Sequence, residues 1–166
     1  MRMPLTLVAV AATLALPATA TAQTTYTDSI AGLQVGVTAT SSTFAGKATG
    51  DLPGFWKAVV QRTPLTPHGT ITGGTFSLWT LLADVPTRVS GTFAPGGSIV
   101  QTNPGAGCTN QRYAVNGALT NVAVGSATGG SGAFVVQLTH HRAFIPFLGC
   151  VTYAGTVAGG FTVTVP

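Results

Sequence analysis

The feature that most restricts this chain is a two-residue rhythm that is repeatedly broken. Apolar or small residues alternate with polar ones in Val89-Ser90-Gly91-Thr92-Phe93 and Phe161-Thr162-Val163-Thr164-Val165, and more loosely in Val115-Asn116-Gly117-Ala118-Leu119. A period of two sends successive side chains to opposite faces of a pleated strand, one covered and one wet. Threonine is the commonest polar partner, and its branched Cβ suits that half-exposed surface. Short breaks at Leu52-Pro53-Gly54, Pro64-Leu65-Thr66-Pro67-His68-Gly69, Pro95-Gly96-Gly97 and Thr128-Gly129-Gly130-Ser131-Gly132 read as hairpin turns. With 22 Gly and 10 Pro in 166 residues, a long helix has nowhere to form. Charged residues make up 6%, where a soluble domain has about a quarter, which excludes a coiled coil or a charged disordered tail.

The turns mark out strands near 30–39, 42–51, 54–63, 69–81, 86–94, 97–103, 111–124, 132–142 and 150–165. Residues 55–62 and 76–82 have a short helix as their alternative, but they lie between turn signals at strand spacing and are assigned as strands. Consecutive short antiparallel strands predict an all-β meander closed into a small barrel of eight or nine strands. Closure removes edges that would invite aggregation. A two-sheet β-sandwich is the alternative. Glycine also recurs two residues after an apolar one, in the first and third runs above, in Phe44-x-Gly46-x-Ala48, in Ile71-x-Gly73 and in Tyr153-x-Gly155-x-Val157. Glycine weakens a strand, so its repetition points to sharp coiling where Cβ atoms would crowd, or else to drift in a glycine-rich chain.

The N-terminus has the three parts of a secretory signal peptide: Arg2, an apolar run over 5–16, and small residues Ala20-Thr21-Ala22 before a cut at Gln23. The run is shorter than the ~20 residues a membrane span needs. Residues 1–22 are therefore expected to be removed, leaving one domain over 23–166, secreted or extracytoplasmic, with no membrane span. Cys108 and Cys150 both fall in that domain, and an even count in an exported chain predicts one disulfide, worth roughly 4 kcal/mol by loop entropy. A metal or catalytic thiol pair is the competing reading, but C-x-x-C spacing is missing.

Asp51-Leu52-Pro53-Gly54-Phe55-Trp56, Gly69-Thr70-Ile71-Thr72-Gly73-Gly74-Thr75-Phe76 and Gly129-Gly130-Ser131-Gly132-Ala133-Phe134 resemble strings of small exported barrels. In these strings the chain resembles the dirigent and allene oxide cyclase barrel group. That resemblance implies an eight-stranded antiparallel barrel with a central cavity, in a group that includes cyclases and proteins steering the coupling of phenolic radicals. No catalytic residue carries over, because no motif around a carboxylate matches.

Groups able to do chemistry are few. There is no Glu, and the acids are Asp28, Asp51 and Asp84; Asp51 and Asp84 sit beside turns and read as turn formers. No G-x-S-x-G occurs. On the strand 132–142, Phe134, Val136, Leu138, His140 and Arg142 share the more apolar face, which places His140 and Arg142 at the end of a lined cavity or at its wet rim. His140 and His141 point to opposite faces and cannot easily share an ion, and His68 lies in a Pro-rich turn without an acidic partner, so no metal is expected. Lys and Arg are scattered singly, which argues against nucleic acid. Trp56 shares a face with Ala58 and Val60, as core or as a stacking surface.

These features point first to a barrel that binds a small apolar or aromatic molecule, with His140, Arg142, Tyr153 and Trp56 as candidate contacts and no cofactor. A cyclase or isomerase using His140, Arg142 and Tyr153 as polar helpers is the second reading. A structural or interaction module at the cell surface is the third, and an outer-membrane barrel, which would need an apolar outer band, a fourth.

Overall fold

A computed structural model describes residues 22–65, 67–103 and 107–166; the leader expected over 1–22, apart from Ala22, lies outside them. Nine strands follow one another: β1 (Thr24–Val37), β2 (Ser41–Gly50), β3 (Gly54–Arg62), β4 (His68–Leu82), β5 (Val85–Phe93), β6 (Ser98–Asn103), β7 (Gln111–Val124), β8 (Ala127–Ile145) and β9 (Gly149–Val165). No helix occurs among the described residues, and 55–62 and 76–82 are both strand.

Every strand pairing is antiparallel, and β1 pairs with both β2 and β9, closing the sheet into a barrel rather than a sandwich. The barrel has eight staves, because β5 and β6 share one. β4 meets β6 at His68↔Val100 and β5 at Thr75↔Thr92, and β7 likewise pairs with both. Pro95-Gly96-Gly97 is therefore a kink within a stave, not the expected hairpin. Ile71 explains this: its carbonyl accepts from the Gly96 N–H and its own N–H donates to the Gly97 carbonyl, so the chain stays alongside β4.

Two other boundaries differ from expectation. The Gly-rich run 128–132 lies inside β8, and the reversal falls between Val124 and Ala127. There glycine serves a close approach: a Cβ on Gly132 would sit 2.9 Å from Val163 Cγ1 of β9. β1 begins at Thr24, six residues before the expected start at 30, because the inward position Asp28 is a charged residue that interrupts the apolar alternation.

The inward residues of β1, β2 and β3 are even-numbered. A bulge opposite Gln61 and Arg62 lets β4 turn both Ile71 and, past Gly73 and Gly74, Leu78 and Thr80 into the barrel. The recurrent inward glycines have a packing cause. A Cβ on Gly91 would lie 2.6 Å from Phe76 Cε1, and one on Gly117 would lie 2.9 Å from Phe134 Cε1. Aromatic rings lie across the strand where side chains are missing, and Phe93 packs against both Phe76 and Phe134 at 6.0 and 5.2 Å between centroids. Outside, threonines pair across strands, as Thr25 with Thr164 and Thr92 with Thr120, both at 2.9 Å. Among the described residues no helix is long and apolar enough to cross a membrane.

One end of the barrel has a floor. The turn between β2 and β3 folds inward, so that Leu52 is fully buried. Its N–H donates to Asp28 Oδ1 at 2.9 Å, the Thr27 N–H donates to Asp51 Oδ2 at 2.7 Å, and Thr80 Oγ1 donates to the Pro53 carbonyl at 2.7 Å. Asp51 is thus the turn former it was expected to be. Asp28 Oδ2 is buried with no partner. Burial raises the Asp28 carboxyl above its ordinary value, opposed by the Leu52 hydrogen bond and helped by the charge of Asp51.

An acid whose pKa is higher folded than unfolded holds its proton more tightly in the fold. Its stabilising contribution is complete below the unfolded pKa and is lost as pH rises through the folded one. Asp28→Asn is therefore expected to raise stability at neutral pH. The gain should vanish in a buffer more acidic than the ordinary aspartate range, as read by urea denaturation of both proteins at each pH. A gain that is the same at both pH values would contradict the assigned protonation.

Candidate functional site

Above the floor the barrel is hollow. A cavity of about 90 Å³ is walled by Phe44, Trp56, Phe76, Phe93, Phe134 and Phe161 together with aliphatic side chains. That is several times the space one water needs, and a void with such walls favours an apolar occupant over water. Leu52, Val89, Val122 and Val163, all fully buried, form the layer beneath it. Trp56 is fixed by its indole N–H, which donates to the Lys47 carbonyl of the neighbouring strand at 3.0 Å.

The other end, where β1 meets β2, β3 meets β4 and β8 meets β9, is the mouth. The side chains with ionisable or hydroxyl groups on the cavity wall are there: Arg62 and Ser42, both buried. Arg62 ends the inward face of β3, and its guanidinium is spent largely on backbone. Nη1 donates to the carbonyls of Ala39 (3.0 Å) and Thr63 (3.3 Å), Nη2 to that of Thr38 (3.2 Å), and Nε to Ser42 Oγ (3.1 Å). Ser42 Oγ also accepts from Gln34 Nε2 at 3.0 Å. The acceptors of Arg62 are all neutral oxygens. Burial pulls the guanidinium below its usual value, and Tyr113 partly offsets this, yet arginine remains a cation in proteins.

Tyr113 and His140 stand beside this group, with their rings 5.3 Å apart and edge-on. Burial raises the Tyr113 phenol, against the charges of Arg142 and Arg62, which favour the phenolate. Burial, then Arg62, then His141, lower the His140 imidazole, which is accordingly neutral at pH 7. His140 Nε2 is buried and has no partner. The three aspartates are remote: Asp28 and Asp51 hold the floor, and Asp84 sits in the turn from β4 to β5 at the same end. Arg62 and Arg142 are thus at the mouth, and all three aspartates at the opposite end.

The expected site residues separate under this geometry. Trp56 is on the cavity wall, while His140 faces inward at the mouth, above it. Arg142 is also at the mouth, near enough to act on Tyr113, with its N–H on Asn110 Oδ1. Tyr153 is not in the cavity. A bulge between His141↔Ala154 and Arg142↔Thr152 turns it outward, where it is 69% exposed and packs towards His141. His140, Arg142 and Tyr153 therefore do not share a pocket. His141 faces away from His140 and bonds Thr156 Oγ1 at 3.0 Å, and no three metal-ligating side chains gather among the described residues. Cys108 and Cys150 are joined, with Cα atoms 5.2 Å apart, tying the connection before β7 to the start of β9.

The residues that sequence reasoning passed over are Arg62 and Ser42. A signal was present: Arg62 continues the face of Trp56, Ala58 and Val60 by one more step of two. No protein family, curated protein or solved structure matches this chain.

Proposed function

We propose that this protein binds a small apolar or aromatic molecule inside the barrel and works outside the cytoplasm. The observation that carries the first part is the hollow, ring-lined interior above a sealed floor, since such a void is stabilised by an occupant with matching apolar surface. The disulfide and the leader-like N-terminus support the second part. A neutral probe such as 1-naphthol is expected to bind, raise the melting temperature and change the fluorescence of Trp56. Ala58 lines the cavity, so Ala58→Leu should fill it. That variant is expected to be no less stable than the parent without ligand and to bind the probe at least about tenfold more weakly. Equal binding by parent and variant would remove the cavity from the account.

A cyclase or isomerase, which the dirigent-like resemblance implies, would need polar groups converging on the cavity, and Tyr153 does not join the other two. The interaction-module reading draws on a different observation. The hairpin between β8 and β9 carries Phe144, Phe147 and Leu148 exposed to solvent at the mouth end. Light scattering tests it, and a monomer at all concentrations would count against it.

A further inference from the structure

Resting on the cavity-binding reading above, we propose that the ligand is an amphipathic carboxylate, with its apolar body among the aromatic rings and its carboxylate at Arg62 and Ser42. The argument begins with unused donors. A guanidinium has five N–H groups. Four of those on Arg62 are engaged, by Ser42, Ala39, Thr63 and Thr38, and one N–H on Nη2 is given no acceptor among the described residues. Ser42 Oγ accepts twice, from Gln34 and from Arg62, and its own O–H is likewise given no acceptor there. Both residues are more than nine-tenths buried, and both lie on the cavity wall. Two bonded neighbours on an apolar cavity wall, each with a donor left over among the described residues, suit a carboxylate, which accepts through two oxygens.

Charge argues the same way. A guanidinium buried among neutral oxygens keeps its full charge, and burying it costs several kcal/mol unless an anion compensates. The aspartates are at the floor end, so the chain supplies none at the mouth. His140 adds a third group, because its Nε2 is buried without a partner at the same end. A neutral apolar ligand would leave the Arg62 and Ser42 donors empty, and a cationic one would be repelled. The backbone bonds of Arg62 also clamp the β1–β2 turn to β3, but that clamp accounts for neither the charge nor the Ser42 O–H.

The test compares ligands that differ only at the head: octanoate with octan-1-ol, and 4-phenylbutanoate with 4-phenylbutan-1-ol, by titration calorimetry on the whole folded protein. Each acid is expected to bind about tenfold or more tightly than its alcohol, the scale of one charge-assisted hydrogen bond. Ser42→Ala should shrink that ratio, and Arg62→Gln should bring it to about one. Because Arg62→Gln removes the clamp and could fail to fold, the parent protein and Ser42→Ala decide the matter without it. Alcohols binding as tightly as acids would overturn the carboxylate and leave the cavity reading standing. Failure of all four compounds to bind would overturn both. An acid preference untouched by Ser42→Ala and Arg62→Gln would overturn the assigned place of the head group.

Discussion

Leu52→Ala is expected to cost about 3 to 5 kcal/mol of stability, at the upper end for a single leucine. The expectation is unusual for a turn residue, since turns lie on the surface and their side chains contribute little. Leu52 differs because the β2–β3 turn is folded into the end of the barrel and its side chain is wholly buried. The cost of a truncation depends on how far the surroundings collapse into the space left. Here collapse is resisted on three sides, by the hydrogen bonds from Leu52 to Asp28, from Thr27 to Asp51 and from Thr80 to Pro53. Phe55, three residues on and mostly exposed, is the control, and Phe55→Ala should change stability by less than about 0.5 kcal/mol. Urea denaturation of both variants checks the contrast. Equal losses would mean that Leu52 does not seal the floor.

The floor shows what the sequence could and could not convey. The two-residue rhythm and the turns disclosed strands and an all-β architecture, because alternation is a local property of pleated backbone. They did not disclose that Leu52 belongs to the core, since nothing local distinguishes a turn that folds inward from one that faces water. Glycine misled in the same way. Gly96 and Gly129 look like reversals, but one stands at a kink held by Ile71 and the other inside β8, where its positive φ of 80° does not end the strand. At the mouth, the alternation makes the inward face of β8 legible through His140 to Arg142, whereas the same step along β3 from Val60 to Arg62 ends on a charged residue that reads as exposed. Tyr153 was placed by an unbroken alternation that a bulge in β9 shifts by one residue. Such bulges depend on the partner strand, and the partner is not written in the segment itself.

Removing the cross-link should have an effect of similar size but a different distribution. Cys108 and Cys150 are 42 residues apart and enclose all of β7 and β8. In the loop-entropy description, opening a loop of that length costs roughly 4 kcal/mol, and loss of a native disulfide from a small domain costs about 2 to 5 kcal/mol. The Cys108→Ser, Cys150→Ser protein is expected to lose that much in urea denaturation. Asn110 also ties this connection to β8, but by exposed bonds: its Oδ1 accepts from the Arg142 N–H at 3.2 Å and its amide nitrogen meets His141 Nδ1 at 3.3 Å. Exposed contacts of this kind contribute little, so fraying should be local to the mouth. Amide exchange is expected to quicken at Gln111, Arg112 and Tyr113 and at 141–145, well beyond the change at Leu78 and Val89 near the floor. Tyr113 and His140 would then no longer be held at the mouth, and the preference for acids over alcohols should weaken more than the affinity for 1-naphthol. A variant as stable as the parent within about 0.5 kcal/mol, with unchanged exchange at the mouth, would show that the strand pairing alone holds that end closed.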